Sequence, residues 1–517
     1  MVVLYHKNNI ITKVISPNNE ILVVKQSKSI AYGIMALAKQ FPECKIVWCH
    51  ELLQDNLNIK DIKILFHHCK MMLSYDLNQK SFLGNKIGYV ETSPFIKIKK
   101  KVSYPTWIMS GAVGVVHASV LNVICREIKL DRNWDYFLNS VAKVCMPLGL
   151  LCYSEPNLLI EKTGRIESIS TNLFVLFRFV KQHYKKRWIV LLFLNLLVFE
   201  KQFPLLPLLY SLFFKSRKKK LLNLDAIPVQ SALTVADQKT IDVIIPTIGR
   251  KKYLYAVLQD LGRQTHLPVN VIIVEQNPQP DSVSELDFLT NQTWTFNIKH
   301  TFTHQTGACN ARNLALSQVE SEWVFFNDDD NRFDEKLLET FLNKVQQFGV
   351  SVLTTAYLQQ NEPQRYSITN QSGIFGSGNS FLKATCLATV AFDMALEFGY
   401  GEDTDFGMQL RNKGFDVIYF PEIRILHLKA PIGGFRIKVK HLWDNEIMQP
   451  KPSPTIMYVL LNHYTHPQLL NYKLVLFFKL LREESIENYS NFLERFQEKW
   501  KVSQYWANHL KVRLHEN

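Results

Sequence analysis

The sequence lacks the features that mark several large classes of protein. Its eight cysteines include no Cys-x-x-Cys pair, so we expect buried thiols in a reducing cytosol rather than a disulfide framework or a zinc site. No helix-turn-helix, zinc-finger or RNA-binding signature accompanies the basic residues, which argues against nucleic acid as a partner. The N-terminus has no basic segment followed by a long apolar run, and we therefore expect no signal peptide.

Apolar runs long enough to span a bilayer are also missing. Trp188–Phe199 and Phe203–Phe214 are almost wholly apolar, but each has about a dozen residues, whereas a transmembrane helix needs ~20. Basic clusters at Lys181–Arg187 and Lys215–Lys220 flank the pair. This pattern favours two helices lying in the interface of an anionic membrane. The alternative is a helical hairpin buried between domains, in which the basic flanks have no role.

The length and the charge indicate several domains and an anionic partner. At 517 residues the chain is too long for one ordinary domain. The formal charge of +14 is clustered rather than spread, which suits an anionic membrane or anionic substrates. We predict an α/β domain over residues 1–165, an apolar and basic helical linker over 166–235, a second α/β domain over 236–435 and a helical extension over 436–517.

The first half mixes short apolar runs with helical patterns. Ile21–Val24, Lys45–Cys49 and Ile62–Phe66 are predicted strands, and Ile30–Lys39 is a predicted helix. Strands that alternate with helices in this way indicate an α/β fold.

Two segments of the first half resemble two segments of the second. Trp107–Leu121 and Phe375–Leu387 both place small residues before a helix start, and Asp135–Ala142 resembles Asp403–Leu410. In both halves a turn containing glycine and an apolar strand come next. The first half is then either a degenerate relative of the second that lacks its acidic strand end, or an unrelated α/β domain. The sequence leaves both interpretations open.

The stretch Trp323–Asp330 carries the strongest chemical signal. A short apolar and aromatic run leads into Asn327 and three consecutive aspartates, which indicates a buried strand that ends in negative charge. In open α/β sheets, ligands bind at the C-terminal ends of the strands. Adjacent carboxylates repel one another unless solvent or a cation relieves them. A solvated acidic turn is the alternative for this stretch taken alone.

Regular alternation of strands and helices surrounds this acidic strand. The predicted strands are Ile241–Arg250, Val269–Val274, the acidic strand Trp323–Asp330 and Val350–Leu358. The predicted helices between them are Lys252–Arg263, Gly307–Leu316 and Glu335–Gln347. Such alternation predicts a parallel sheet with helices on both faces.

Five short motifs occur in a fixed order through this region. They are Ile-Ile-Pro-Thr at 244–247, Val-Ile-Ile-Val-Glu at 271–275, Gly-x-x-x-Ala-Arg-Asn at 307–313, Phe-Phe-Asn-Asp-Asp-Asp at 325–330 and Gly-Glu-Asp-Thr-Asp-Phe at 401–406. Each is weak alone, but with this order and spacing residues of about 240–430 resemble the catalytic domain of glycosyltransferase family 2. The resemblance implies a GT-A fold, which is a Rossmann-like, mostly parallel sheet with flanking helices. It also implies a nucleoside-diphosphate sugar, expected to be a UDP-sugar, as the donor.

The resemblance assigns roles to residues on the donor side. The positions implied to contact the donor nucleotide are Thr247, Arg250, Glu275, Arg312 and Asp328. Most members of the family have Asp where this chain has Glu275. Asp330 and His427 are the implied metal ligands, and carboxylate and imidazole donors suit Mn²⁺ or Mg²⁺. A cation there would stabilise the charge that grows on the departing diphosphate. A hydrogen-bonded histidine at the sheet edge is the alternative for His427.

The resemblance also assigns the acceptor side. Asp403 occupies the position of the general base, in the first turn of a predicted helix whose positive end keeps a carboxylate ionised. Direct displacement by an acceptor hydroxyl would invert the anomeric centre. The positions implied to line the acceptor site are Gly376, Gly378, Asn379 and Glu402. Asp405 is either an acceptor contact or a helix cap, and capping is the default.

These inferences lead to one main hypothesis and two alternatives. The main hypothesis is an inverting glycosyltransferase on the cytoplasmic face of a bacterial cell membrane, which extends a glycan or lipid-linked acceptor in cell-surface polysaccharide synthesis. A nucleotidyltransferase would need a basic, glycine-rich loop after the first strand, and Thr247–Lys252 is a poor version of one. A non-catalytic scaffold that binds sugar nucleotides or glycans is the third possibility, although the second half keeps every acid that the transfer reaction requires.

Overall fold

The structure is a computed structural model that describes residues 1–22, 29–77, 81–124, 127–162, 171–217, 222–431, 440–483 and 489–513. It divides the chain into two compact units. The first consists of Met1–Leu233 with Tyr464–Lys479, and the second of Thr234–His463 with Leu480–Asn517.

The first unit is built on a mixed sheet. Its strands are β1 (Val2–Lys7), β2 (Ile10–Ile15), β3 (Lys45–His50), β4 (Met71–Tyr75), β5 (Tyr104–Pro105), β6 (Val113–His117) and β7 (Leu151–Ser154). Their order across the sheet is β2-β1-β3-β6-β4-β7-β5. The pairs β1–β3 and β4–β7 are parallel, and β6 runs antiparallel to both of its neighbours.

Helices cover this sheet. They are α1 (Ile30–Gln40), α2 (Ile59–Leu65), α3 (Ala118–Ile124), α4 (Trp134–Cys145), α5 (Leu173–His183), α6 (Arg187–Glu200) and α7 (Leu205–Ser211). Helix α4 begins where the side chain of Asn133 accepts a hydrogen bond from the backbone N–H of Tyr136 at 2.8 Å. The predicted helix Ile30–Lys39 and the predicted strand Lys45–Cys49 are confirmed by α1 and β3.

One predicted strand of the first unit is wrong. Ile62–Phe66 was expected to be extended, but α2 occupies most of it. The side chain of Asn58 caps this helix by accepting a hydrogen bond from the N–H of Asp61 at 3.3 Å. Ile62 is the buried residue of α2, so the apolar run packs with helical rather than strand periodicity. The other predicted strand, Ile21–Val24, lies partly outside the described residues.

Helices α6 and α7 cover the two apolar runs that flank Glu200. Ten apolar side chains on and beside these helices are exposed, and we call them the apolar face of α6–α7: Val190, Leu197, Val198, Phe203, Leu205, Leu206, Leu209, Tyr210, Leu212 and Phe213. Among the described residues, no helix combines the length and the hydropathy that crossing a bilayer requires.

The second unit contains a larger mixed sheet. Its strands are β8 (Ile241–Thr247), β9 (Asn270–Gln276), β10 (Asn297–Thr303), β11 (Trp323–Asn327), β12 (Asn331–Arg332), β13 (Val352–Leu358), β14 (Asn370–Gln371), β15 (Asn379–Lys383) and β16 (Ile418–His427). The order is β10-β9-β8-β11-β15-β13-β16-β12, with β14 paired to β16. Strands β10, β9, β8 and β11 are parallel, whereas β15 runs antiparallel to β11 and β13.

The helices of the second half of the chain follow the predicted alternation. They are α8 (Lys251–Gly262), α9 (Phe288–Asn291), α10 (Ala308–Leu316), α11 (Leu337–Phe348), α12 (Glu402–Asn412), α13 (Pro454–His463), α14 (His466–Glu483) and α15 (Tyr489–Arg513). The predicted α/β class with flanking helices is therefore confirmed. The sheet is mixed rather than mostly parallel, because four of its strand pairs are parallel and four are antiparallel. The antiparallel β15 was not predicted.

A buried carboxylate fixes how the first parallel strands align. Asp242 in β8 is fully buried, and its oxygens accept four hydrogen bonds. The donors are the Nδ2 of Asn270 at 2.8 Å, the N–H of Glu320 at 2.7 Å, and the N–H and hydroxyl of Ser321 at 3.0 and 2.6 Å. Because these donors come from the start of β9 and from the turn before β11, they join the N-terminal ends of the three strands. The strands are parallel, so their C-terminal ends meet at the opposite edge of the sheet.

The two units share a strand pattern. In the first unit, β1-β3-β6-β4-β7 lie in the same order and the same relative directions as β8-β11-β15-β13-β16 in the second. The corresponding strands also follow one another in the same order along the chain. This correspondence supports the interpretation of the first half as a degenerate relative of the second.

Candidate active site

A cavity of about 1680 Å³ opens at the edge of the second unit's sheet where β8, β11 and β13 end. Its lining brings together all but two, Glu275 and Asp405, of the residues to which the sequence assigned a role. Those in the lining are Thr247, Arg250, Arg312, Asp328, Asp330, Gly376, Gly378, Asn379, Glu402, Asp403 and His427. The acidic strand end and the acid at the start of α12 therefore face the same cleft.

Three of these side chains form the one group in the described part of the chain that could chelate a metal ion. Asp328, Asp330 and His427 each offer a ligand atom, and the three atoms lie within 4.8 Å of one another. The Nε2 of His427 is 3.5 Å from the Oδ1 of Asp330, and its ring stacks on Tyr357 with 4.5 Å between the centroids. Strand pairing brings His427 here, because it lies opposite Asn331 in the β12–β16 pair.

The surroundings of Asp330 fit a bound divalent cation. The Oδ2 of Asp330 accepts a hydrogen bond from the N–H of Ala430 at 2.7 Å, whereas its buried Oδ1 has no hydrogen-bond donor among the described residues. Burial raises the pKa of Asp330, but the imidazole of His427 and the Ala430 N–H outweigh it and leave the pKa below its ordinary value. An ionised, buried oxygen without a donor is suited to a cation, and two carboxylates with an imidazole are a donor set that Mn²⁺ accepts.

Tyr357 orients the first acid of the group. Its hydroxyl lies 2.9 Å from the Oδ2 of Asp328 and 2.8 Å from the Oδ1 of Asn331. The Oδ1 of Asp328 is held from the other side by Arg312, whose Nη2 is 3.3 Å away. Two partners on opposite oxygens leave Asp328 little rotational freedom, so it is presented to the cavity in one orientation.

The middle acid, Asp329, is hydrogen-bonded on both carboxylate oxygens by protein groups. Its Oδ2 accepts a hydrogen bond from the hydroxyl of Thr247 at 2.6 Å, and its Oδ1 accepts one from the Nη1 of Arg250, also at 2.6 Å. The Nη1 of Arg250 lies 3.5 Å from Asp330 as well. Asp329 thus fixes two of the predicted nucleotide-binding residues against the strand end, a role that the sequence analysis did not assign to it.

Helix α10 places Arg312 between the two groups of acids. The helix starts at Gly307, where φ is +139° and a Cβ would lie 2.3 Å from the carboxylate of Glu397. Glu397 caps the helix by accepting hydrogen bonds from the N–H groups of Cys309 at 3.1 Å and Asn310 at 2.7 Å. The positive charge of Arg312 acts on both Asp328 and Asp403.

The acidic N-terminal turn of α12 also lines the cavity. The Oδ1 of Asp403 accepts a hydrogen bond from the N–H of Ser377 at 3.2 Å. Burial raises the pKa of Asp403 above its ordinary value, although Arg312 and Ser377 act to lower it. Burial and the neighbouring charge of Asp403 raise the pKa of Glu402 to about 7. A carboxylate with a raised pKa that remains within reach of a cleft is suited to accepting a proton.

The glycine-containing turn before β15 is closely packed. A Cβ on Gly378 would lie 2.2 Å from the Oδ2 of Asp328, and one on Gly376 would lie 1.9 Å from the Oδ1 of Asn379. The side chain of Asn379 donates hydrogen bonds to the carbonyl of Thr355 at 2.9 Å and to its hydroxyl at 3.1 Å. Asn379 therefore ties the turn to β13, and its acceptor-binding role stays a prediction.

Two other predicted residues are engaged by the protein itself. Glu275 is absent from the cavity lining, and its carboxylate accepts hydrogen bonds from the hydroxyl of Ser284 at 2.5 Å and from the N–H of Glu285 at 3.1 Å. The Nε2 of His300 lies 2.9 Å from it. Asp405 is buried and pairs with the Nε2 of His463 at 2.5 Å. The nucleotide-binding role of Glu275 also stays a prediction.

Several residues of the site escaped the sequence analysis. Tyr357 could have been found, because it lies near the C-terminal end of a predicted strand, where ligand contacts concentrate. Glu397 and His463 had no local signal, since they act on helices from distant positions in the chain.

Comparison with known proteins places this region among glycosyltransferases. The profile described as Glycosyl transferase family 2 matches residues 242–397. An uncharacterized glycosyltransferase of Rickettsia conorii is 27% identical over 150 residues, which cover 29% of this chain and 24% of that protein. The glycosyltransferase GlyG of Streptococcus pneumoniae is 25% identical over 122 residues, which cover 24% of this chain and 40% of GlyG. The chain thus spans well under half the length of either relative.

A solved structure, that of S. aureus TarS 1–349 in complex with UDP-GlcNAc, aligns with a TM-score of 0.34 and 17% identity. The alignment covers 45% of this chain and 70% of that chain.

Proposed function

Because residues 242–397 match the profile described as Glycosyl transferase family 2, we propose that the protein is an inverting glycosyltransferase. It moves a sugar from a nucleoside-diphosphate sugar, expected to be a UDP-sugar, to a hydroxyl group of a glycan or lipid-linked acceptor. The observation that carries the proposal is the shared cleft: Asp328, Asp330 and His427 line the same cavity as Asp403.

The donor side of the cleft suits a diphosphate. Arg250 and Arg312 line it, and both are held in place by carboxylates, Arg250 by Asp329 and Arg312 by Asp328. Guanidinium groups bind phosphate oxygens through paired donors. When bound, a divalent cation held by Asp328, Asp330 and His427 supplies positive charge that offsets the charge of the departing diphosphate.

The acceptor side supplies the base. The acceptor oxygen forms its bond to the anomeric carbon while the bond from that carbon to the diphosphate oxygen breaks, and the acceptor's proton passes to Asp403. The donor leaves as a nucleoside diphosphate. Displacement from the opposite face inverts the anomeric centre. The N–H of Ser377 holds one oxygen of Asp403 in position, which supports a fixed orientation for the proton transfer.

We also propose that the protein binds the cytoplasmic face of the cell membrane and acts in bacterial surface-polysaccharide synthesis. The support is the apolar face of α6–α7, where Phe213 and Leu206 are 85% and 69% exposed. Exposed basic residues flank the two helices in the sequence, at Lys185, Lys186, Arg187 and Lys215. Apolar side chains flanked by cations are typical of segments that lie in an anionic interface.

Hydrolysis of nucleotide sugars without an acceptor tests the donor half of the proposal. The purified protein is incubated with a panel of UDP-, GDP- and dTDP-sugars and either Mn²⁺ or Mg²⁺, and nucleotide release is measured. We expect one nucleotide class to be released, and we expect Asp330→Ala to abolish the release. Asp281→Ala, which removes an exposed carboxylate outside the cavity, is the matched control and should keep the wild-type rate. Release that survives in Asp330→Ala would contradict the assignment.

A further inference from the structure

The first unit contains a second cavity at the equivalent edge of its own sheet. The cavity has a volume of about 1080 Å³. Residues from the ends of three corresponding strands line it, namely His6 of β1, His50 of β3 and Ser154 of β7. These strands occupy the places that β8, β11 and β16 hold in the second unit.

One acid is retained at the same structural position in both units. Asp135 lies in the first turn of α4, as Asp403 lies in the first turn of α12, and each helix connects corresponding strands. The Oδ1 of Asp135 accepts a hydrogen bond from the N–H of Gly111 at 2.6 Å, just as the Oδ1 of Asp403 accepts one from Ser377. The correspondence therefore extends to the backbone group that holds the carboxylate.

Strand register shows that Gly111 and Ser377 are equivalent. Gly114 pairs with Ser74 of β4, and Ser380 pairs with Thr354 of the corresponding strand β13. Gly111 precedes Gly114 by the same three positions by which Ser377 precedes Ser380. Asp135 and Asp403 therefore accept hydrogen bonds from N–H groups at equivalent register positions. Two unrelated α/β domains would not be expected to share this detail.

The metal-binding acids, in contrast, are missing from the first unit. Trp48 pairs with Gly114 as Phe326 pairs with Ser380. The positions that correspond to Asp328 and Asp330 are therefore occupied by His50 and Leu52. The Nδ1 of His50 accepts a hydrogen bond from the N–H of Leu52 at 3.2 Å, and the side chain of Leu52 is apolar and 66% exposed. This unit therefore keeps a counterpart of Asp403 and lacks counterparts of Asp328 and Asp330.

Side chains of both charges line the cavity, namely Lys7, Lys97, Lys100 and Arg132 with Asp76 and Asp135. Lys7 lies 3.7 Å from Glu51, and Lys100 is attracted by Asp76, so these two cations already have anionic neighbours. In the described part of the chain no basic group lies within 4.0 Å of the carboxylate of Asp135. An acid without a cation partner in a cleft is suited to accepting a hydrogen bond from an uncharged O–H or N–H donor.

We propose that this cavity is a saccharide-binding site, in which Asp135 accepts a hydrogen bond from a ligand hydroxyl and no sugar transfer takes place. The choice of ligand class rests on the acceptor role proposed for Asp403. The remaining polar lining, including Ser154 and Asn85, provides further donors and acceptors for sugar hydroxyls.

The test is binding of the full-length protein to a printed array of α- and β-linked tetrasaccharides of glucose, galactose, mannose and N-acetylglucosamine. The protein carries Asp403→Asn, so that capture by the second unit is weakened. We expect at least one tetrasaccharide to be retained. Adding Asp135→Asn should lower its affinity by about tenfold, because a charge-assisted hydrogen bond is replaced by a weaker neutral one. Asp55→Asn makes the same chemical change at an exposed position outside the cavity lining and should have no effect.

A second variant keeps the test decisive if Asp135→Asn does not fold. Asn85 is exposed at the cavity lining, so Asn85→Trp should block entry without disturbing the core. The proposal would be overturned if no tetrasaccharide bound. It would also be overturned if a folded Asp135→Asn or Asn85→Trp variant bound normally, or if UDP displaced the saccharide from this cavity. Donor hydrolysis is measured separately on protein with Asp403 intact. If the protein binds a saccharide but does not hydrolyse any donor, the proposed function is contradicted. If it hydrolyses a donor but binds no saccharide, this inference is contradicted.

Discussion

At Gly378 the backbone approaches the acidic strand end so closely that no side chain fits. A Cβ there would lie 2.2 Å from the Oδ2 of Asp328, which Tyr357 and Arg312 hold on both sides. The φ of Gly378 is not among the positive values found in this chain, so the requirement for glycine comes from space and not from backbone conformation.

We expect Gly378→Ala to lower donor hydrolysis by about 10- to 100-fold, because the methyl group must displace Asp328 from the orientation in which its partners hold it. Initial rates over a range of Mn²⁺ concentrations measure the effect, which should include weaker activation by the metal. Gly262→Ala is the control, since a Cβ there meets its nearest atom at 3.7 Å. Equal rates in the two variants would show that Asp328 has more freedom than its contacts indicate.

The raised pKa of Asp403 predicts a pH dependence of transfer. The base must be ionised, and burial keeps it protonated to a higher pH than the ordinary value of 3.8. We therefore expect kcat/KM for transfer to rise with pH through this raised pKa and to fall as pH is lowered below it. Asp403→Asn should lower the rate of transfer by about 10²- to 10⁴-fold and retain donor binding. The acidic limb of the pH profile, in which the rate falls as the pH is lowered, should disappear in this variant.

The pH profile of Glu402→Gln serves as the control for this experiment. Burial and Asp403 bring the pKa of Glu402 to about 7, so its titration overlaps the range of interest. If the acidic limb disappears in Glu402→Gln and persists in Asp403→Asn, then Glu402 and not Asp403 is the group whose ionisation limits transfer.

Among the elements, α12 determines where the acceptor-side acid stands. The helix carries Glu402, Asp403 and Asp405 in its first turn, and Asp405 pairs with His463 of α13. Both partners are nearly inaccessible, with 4% and 7% of their side chains exposed. Helix α13 therefore supports the site through a buried hydrogen-bonded contact, although no residue of the C-terminal helices was expected to take part in the chemistry.

We expect His463→Ala to lower the free energy of unfolding by about 3 kcal/mol, because it leaves a buried carboxylate without its partner. Gln409 still donates a hydrogen bond to Asp405 at 2.6 Å. The expected loss of unfolding free energy is therefore at the low end of the range for breaking a buried pair of this kind. Urea denaturation followed by tryptophan fluorescence measures it. His509→Ala removes an exposed histidine of α15 and should be neutral. A loss below about 1 kcal/mol in His463→Ala would show that Asp405 is neutral or solvated in the folded protein.

At the scale of the whole molecule, net charge and one exposed surface point to the same partner. The chain carries a formal charge of +14, and in the sequence exposed Lys and Arg flank the helices that carry the apolar face of α6–α7. Electrostatic attraction brings such a protein to an anionic bilayer, and apolar side chains then anchor it.

We expect the protein to float with vesicles of phosphatidylglycerol and phosphatidylcholine, and to bind vesicles of phosphatidylcholine alone more weakly. Leu206→Glu with Phe213→Glu should weaken binding by about 100-fold, since two apolar anchors are lost. Raising the salt concentration from 0.1 M toward 1 M should also release the protein, because the Debye length falls from ~10 Å to ~3 Å. The double variant Leu267→Glu with Val283→Glu changes exposed apolar residues of the second unit and should bind normally. Indifference to the first pair of substitutions would remove α6–α7 as the anchor.

The sequence by itself determined the α/β class, the position of the main strands and the edge at which chemistry concentrates. A strand buried on both faces must be continuously apolar, and this requirement made β8, β9 and β11 recognisable. Acids directly after such a strand lie at the sheet edge whatever the rest of the fold does. The run Ile62–Phe66 shows the limit of the same reasoning, because a short apolar run satisfies a helix as well as a strand.

Only the tertiary structure shows which contacts each acid makes. Asp328, Asp329 and Asp330 are adjacent in sequence, and the sequence assigned no role to Asp329. In the structure Asp329 binds Thr247 and Arg250, while Asp330 keeps a buried oxygen without a donor among the described residues. The antiparallel direction of β15 and the pairing of Asp405 with His463 could not be predicted from the sequence either. In each case the partner lies far along the chain, and the hydrogen bonds that distinguish one carboxylate from the next exist only after the strands and helices have packed.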